Sequence, residues 1–138
     1  MHAYINHTPY HAILSAERSD LNDCENRART SELIDCLETY GIKFKQVCGC
    51  YKGVMETSFY CILKDDTDLN TILGLAADFE QETVLIRHPE TDSCELWKPE
   101  TGEPLETLGE WTETTKTGAE LAENYTYDIE TGIYYIVK

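Results

Sequence analysis

A chain of 138 residues with 26 acidic against 11 basic side chains, a formal charge of −15, is one domain in size and strongly anionic. That charge opposes binding to phosphate backbones and anionic lipid, so neither nucleic acid nor a membrane is expected as a partner, and imitation of DNA by rows of carboxylates is the use it leaves open. A hydrophobic share of 41% permits one ordinary core, burying roughly two-thirds of the unfolded surface, and no stretch approaches the about 20 apolar residues of a membrane-spanning helix.

Met1 to Pro9 has no apolar run of signal-peptide length, and a cytoplasmic protein is expected. Tyr10 to Ser15 reads as a short apolar strand, at whose carboxyl end a polar stretch begins: Ser15-Ala16-Glu17-Arg18-Ser19, then Asn26 and Arg29. Asp20 or Asp23 is placed to cap the next helix, which runs to about Tyr40 with Leu33, Ile34, Leu37 and Tyr40 at helical spacing before Gly41 ends it. Asn26 and Arg29, three apart in its early turns, share a face. A strand end meeting a helix start leaves backbone donors free to hold a polar ligand. Arg18 and Arg29 suit a clamp on a carboxylate, and surface pairing with Glu17, Glu25 or Glu32 accounts for them equally well.

Ile42 to Tyr51 alternates Ile42, Phe44, Gln46, Cys48 and Cys50 against Lys43, Lys45 and Val47, the pattern of a strand with one buried face. Lys52-Gly53 turns the chain and Thr57 to Lys64 returns it, so Tyr51 and Glu56 bracket a hairpin and come close in space. A second helix from about Asp68 to Phe79 repeats Leu69, Ile72, Leu73 and Ala76 on one face, Glu80-Gln81 follows, and Thr83 to Arg87 forms a fourth strand. The order strand, helix, strand, strand, helix, strand predicts an α+β fold: a ferredoxin-like βαββαβ antiparallel sheet with two helices on one face. Its open edges would gain from assembly.

Beyond it lie three similar turn signals, Pro89-Glu90-Thr91-Asp92, Pro99-Glu100-Thr101-Gly102 and Ile129-Glu130-Thr131-Gly132, which suggest β-hairpins. Ser93 to Trp97 and Ile133 to Val137 are the best strands there. Between them Glu100 to Glu123, with seven Glu against one Lys, reads as an extended solvated excursion. The whole of 1–138 is thus one domain, a core over about 10–98 and a C-terminal β-hairpin extension over 99–138.

Tyr51 and Glu56 are the best candidates for a reaction centre, since the hairpin sets a hydroxyl-bearing ring and a carboxylate beside a turn; a solvated glutamate and an ordinary strand tyrosine are the alternative. Glu80-Gln81 lines the same site or merely terminates its helix. Ser15 and Ser19 have no base in a recognisable nucleophile motif, because none of His2, His7, His11 and His88 has an acidic partner at meaningful spacing, which disfavours a serine hydrolase. The six cysteines read as reduced thiols. Cys48-Gly49-Cys50 lacks the further ligands that structural zinc needs, and no metal is expected.

Ser15-Ala16-x-Arg18-Ser19-x-Leu21-x-Asp23-x-x-Asn26-x-x-Arg29 resembles, without a gap, the N-terminal motif of the phage-encoded S-adenosylmethionine-degrading enzymes, long called hydrolases and now described as lyases. Gly49-Cys50-Tyr51, Glu56 before a strand, Glu80-Gln81-x-x-Val84-Leu85 and Thr126-x-Asp128 with Gly132 and Val137 extend the likeness over nearly the whole chain. The resemblance implies a ferredoxin-like unit assembled as a trimer like that of the PII signalling proteins, with the ligand between subunits. It implies cleavage of S-adenosylmethionine to 5′-methylthioadenosine and L-homoserine lactone, the substrate's own carboxylate attacking Cγ, with no cofactor and no metal. Glu56 and Tyr51 would then be catalytic, and Ser15, Arg18, Asn26, Arg29, Glu80 and Gln81 would bind substrate. Depletion of S-adenosylmethionine in the host cytoplasm would counter restriction. The alternatives are hydrolysis to homoserine with Glu56 as general base, a non-enzymatic acidic DNA mimic, and a silent nucleotide-binding module of the same fold.

Overall fold

The computed structural model describes residues 10–138; the expectation drawn from Met1 to Pro9, and His2 and His7 with it, lies outside the described residues. In chain order the elements are β1 (His11–Leu14), α1 (Asp23–Thr39), β2 (Lys43–Tyr51), β3 (Val54–Ile62), α2 (Asp66–Asp78), β4 (Val84–His88), β5 (Ser93–Lys98), β6 (Glu103–Thr114), α3 (Lys116–Ala122), β7 (Tyr125–Asp128) and β8 (Ile133–Val137).

The strands form a closed barrel in the order β1-β3-β2-β7-β8-β6-β5-β4, every neighbouring pair antiparallel, with β4 returning to β1. The expected ferredoxin-like open sheet with a hairpin extension is therefore corrected. β4 is covered by β5 and β2 by β7, so residues 93–137 are half of the sheet. Closure removes strand edges altogether, and with them the gain from assembly expected of an open sheet.

The stretch expected to be a solvated excursion is the second correction. β6 pairs first with β5 and then, from Trp111 onward, with β8. Register shifts between Cys94 and Glu95 and between Leu96 and Trp97 bend this seam, as bulges do. Most residues of β6 are exposed and Trp111 alone is buried, so its composition resembles that of a loop although its backbone is paired. Gly109 is required at the crossing: at φ 136° a Cβ there would stand 2.6 Å from the Lys138 carbonyl oxygen.

Cross-strand partners share a face, so register separates the barrel's inside from its outside. Ala12, Leu14, Phe59, Cys61, Val84 and Ile86 point outward and pack with Leu33 and Leu37 of α1 and Leu69, Ile72 and Ala76 of α2, which places both helices on one outer core. Val47, Tyr60, Cys94 and Trp111, with Ile13, Ile62, Leu85, Tyr135 and Val137, face inward. β2 is hence covered on both sides, and Val47, assigned from alternation to the open face, is its most buried residue at 1% exposure. Asn22, not Asp20 or Asp23, caps α1, its side chain accepting from the Glu25 amide in a capping box. Tyr40 lies off the packed face at 58% exposure, and Gly41 at φ 67° ends the helix as expected.

Candidate active site

The register of β1 with β3 runs from His11 opposite Ile62 to Leu14 opposite Phe59. Carried three residues further it sets Glu17 opposite Glu56. The backbone ladder stops at Leu14, and side chains complete it: the Ser15 hydroxyl donates to the Thr57 carbonyl at 2.7 Å, and Glu17 Oε2 accepts from the Thr57 amide at 3.3 Å. Ser15 Oγ also accepts from the Glu17 amide at 3.0 Å. Ser15, 2% exposed, is thus occupied in holding this corner together.

The other motif residues brace the same loop. Asn26 Oδ1 accepts from the Arg18 amide at 2.9 Å and its Nδ2 donates to the Arg18 carbonyl at 3.0 Å, closing a two-way bond to the backbone. Arg29 Nε donates to the Ala16 carbonyl at 2.7 Å, Nη2 donates to the Phe79 carbonyl, and the guanidinium lies over the Phe79 ring. Arg18 Nη1 donates to the Glu80 carbonyl at 3.1 Å, and Gln81 Nε2 donates to the Glu17 carbonyl at 3.2 Å. The charged partners of the two arginines are Asp20 for Arg18 and Glu80 for Arg29, not Glu17, Glu25 or Glu32. Arg18, Asn26, Arg29, Glu80 and Gln81 therefore tie the loop after β1 to α1 and to the end of α2.

Glu56 stands directly across from Gly49, and Tyr51 across from Val54. Tyr51 and Glu56 consequently share a face as diagonal neighbours, a separation of about 7–8 Å. The two-residue turn Lys52-Gly53, at φ 50° and 83°, closes the hairpin as the sequence predicted. A Cβ at Gly49 would lie 3.1 Å from Ser58 Oγ and 3.7 Å from Glu56 Cγ, so glycine keeps the space beside the carboxyl open. Burial of the Glu56 carboxyl pushes its pKa up, the facing Glu17 carboxylate adds to this, and a hydrogen bond with Ser58 opposes them. Glu56 is nonetheless exposed as a residue, as is Tyr51 at 62%, with the Lys52 ammonium over its ring.

Further along the inward face the charges are paired. Lys45 Nζ donates to Asp128 Oδ2 at 2.5 Å, and Asp128 Oδ1 accepts from the Glu130 and Thr131 amides. Burial pushes the Asp128 carboxyl up, yet these bonds outweigh it and hold the pKa below the usual range. Tyr60 Oη bonds His11 Nδ1 and accepts from Arg87 Nη1 at 2.7 Å, while Arg87 Nη2 donates to Asp92 at 2.5 Å. None of these residues was singled out by sequence as a site. His88, expected to lack an acidic partner, bonds Glu95 across the β4–β5 hairpin at 2.7 Å, a contact that sequence spacing did not reveal.

Glu17, left unspecified in the motif between Ala16 and Arg18, is brought to Glu56 only by the strand register. Among the described residues no three His, Cys, Asp or Glu side chains are grouped to hold a metal ion, and no helix is long and apolar enough to cross a membrane.

The S-Adenosylmethionine lyase family matches residues 12–138. Among solved structures, a phage SAM lyase in complex with S-methyl-5′-thioadenosine is similar at 17% identity, over 74% of this chain and 88% of that one, with a TM-score of 0.32, too loose a likeness to carry an argument about fold or site. A search of curated proteins gives no match.

Proposed function

This chain belongs to the S-adenosylmethionine lyase family, and from that premise we propose that it cleaves S-adenosylmethionine to 5′-methylthioadenosine and L-homoserine lactone. The substrate's carboxylate oxygen bonds to its own Cγ as the Cγ–S bond breaks, and the bond's electron pair leaves on sulfur, turning the sulfonium into a neutral thioether. The sulfonium is itself the leaving group, so this route draws on no cofactor, no metal and no protein nucleophile. What remains for the protein is to fold the methionine end into attack geometry, an advantage worth up to several kcal/mol.

The observation that supports this reading is the Glu56 carboxyl, held at the barrel mouth beside the space left by Gly49 with Tyr51 on the same face. Glu56 orients the methionine end through its ammonium group and Tyr51 flanks it. A carboxylate pressed against the sulfonium would work against the reaction, because that charge vanishes in the transition state and holding it stabilises the ground state. Ser15, Arg18, Asn26, Arg29, Glu80 and Gln81 serve as the frame that keeps the loop after β1 against β3, their polar groups being spent on protein partners. Acting in a host cytoplasm, such an enzyme would lower S-adenosylmethionine and so counter restriction systems that depend on it.

The raised Glu56 pKa favours a second reading, hydrolysis with Glu56 as general base on water, since a base is most effective when its pKa approaches the working pH. The purified protein incubated with S-adenosylmethionine in ¹⁸O-water separates the two. Lactone trapped before it opens, with an unlabelled oxygen from the substrate's own carboxylate at Cγ, supports the lyase; ¹⁸O bonded at Cγ of homoserine supports the hydrolase. Absence of methylthioadenosine sinks both. Tyr51→Phe should lower kcat several-fold if the hydroxyl takes part and leave it unchanged if only the ring does.

A further inference from the structure

We propose that Glu17 is a second substrate-binding carboxylate, which joins Glu56 in gripping the α-ammonium of the substrate and makes the site select ligands that carry this cation. The inference rests on the reading of the mouth as the S-adenosylmethionine site.

The placement is specific. The β1–β3 register, continued past Leu14, sets residues 17 and 56 face to face. Glu17 Oε2 is anchored on the amide of Thr57, the neighbour of Glu56, and the Glu17 carbonyl is held in turn by Gln81. The Arg18, Asn26 and Arg29 bonds fix the backbone on either side. So much bracing delivers one carboxylate, half-buried, against another.

Two like charges set face to face repel, and the Glu17 carboxylate adds to burial in raising the pKa of Glu56. The groups facing Glu56 are Glu17 from the loop after β1, Ser58 from its own strand and Tyr51 of β2; Cys48, opposite Thr57, lies on the other face of the sheet, its thiol pushed up by burial and then by the Cys50, Glu17 and Glu56 charges. None of these supplies a positive charge. An ammonium entering between the carboxylates does. The ammonium is the right target on energetic grounds: its charge survives into the lactone, whereas the sulfonium's does not, so gripping it firmly adds affinity and orientation without opposing bond cleavage.

The test is steady-state cleavage of S-adenosylmethionine by wild type and Glu17→Gln across pH 5–9, beside the analogue in which hydrogen replaces the α-amino group. Glutamine keeps an oxygen for the Thr57 amide, and a retained melting temperature shows that the loop stays in place. The expected result for Glu17→Gln is a KM raised about tenfold with kcat changed far less, an acid limb of kcat/KM moved to lower pH because Glu56 loses its repelling neighbour, and no change in KM for the analogue. An unchanged KM and an unmoved acid limb, with wild type active, overturn the proposal while leaving the lyase reading intact; a wild type that forms no methylthioadenosine overturns both. Should Glu17→Gln fail to fold, Glu17→Asp, which withdraws the charge by one methylene, must raise KM for S-adenosylmethionine and not for the analogue.

Discussion

The two ends of the barrel's inward face treat charge in opposite ways. Away from the mouth Lys45 is matched by Asp128, Arg87 by Asp92, and Tyr60 joins His11 to Arg87, so nearly all donors and acceptors are consumed within the protein, the buried Arg87 Nε being the exception. At the mouth Glu17 and Glu56 face each other with no cation among the described residues offsetting their charge at Glu56, and Gly49 leaves room beside them. A saturated network specifies the fold. An unsaturated one costs stability and is kept where a ligand completes it.

Removing one charge from each end should therefore have opposite effects on stability. Glu56→Gln is expected to lower kcat/KM by about a thousandfold, on the order of 4 kcal/mol of transition-state binding. The same substitution should raise the melting temperature at pH 7. The folded pKa of Glu56 lies above its unfolded value, so its ionisation at neutral pH disfavours the fold, and the protonated form contributes stability that is lost as pH rises through the folded pKa. Paired melting curves and kinetics check both halves; a Glu56→Gln protein that melts earlier than wild type would show the mouth to be structural.

Asp128→Ala should do the reverse. It strips Lys45 of its partner and two turn amides, at Glu130 and Thr131, of their acceptor. Breaking a buried pair on one side costs about 3–5 kcal/mol, and the lower figure applies because the Lys45 side chain keeps 35% exposure. Chemical denaturation measures this loss, and the activity of the folded fraction should stay near wild type. A large fall in kcat with little loss of stability would move Asp128 into the site and erase the contrast between the two ends.

What could be read from sequence divides along the same line. Helices, hairpin turns and the loop motif were legible because their signals are local: Leu33 and Leu37 at helical spacing, Lys52-Gly53 at the turn, Gly41 past the helix. Barrel closure was not, because it depends on β2 meeting β7 across a long stretch of chain and on β6, whose exposed Glu and Thr side chains give no alternation. The element order of the first half fitted a familiar open sheet, and nothing in residues 93–137 announced that they would cover its edges. At the site, Glu56 and Tyr51 were found through the hairpin that joins them. Glu17 escaped notice because its partner is 39 positions away and only register connects them. The arginines drew attention as the rare cations of an acidic chain, yet their hydrogen bonds end on carbonyls and carboxylates of the protein.

The smallest of the expected effects is a pH response from the inner network. His11 is half-buried, and burial first, then the charge of Arg87, lowers its pKa below 6.5. The neutral ring is the form that fits beside Tyr60 and Arg87, since a protonated ring would face the guanidinium and could no longer accept through Nδ1. A histidine whose folded pKa is depressed binds its proton more weakly in the folded state than in the unfolded one. The stability tied to it is therefore complete above the unfolded value of about 6.5 and drains away as pH falls from there through the folded pKa. His11→Gln, which has no proton to take up, should flatten the stability curve between pH 7 and 5, while the acid limb of kcat/KM, set at the mouth, stays where it was. If both curves shift together, the two ends of the barrel are electrostatically coupled through Ser58 and Tyr60, and the division between a saturated interior and an open mouth fails.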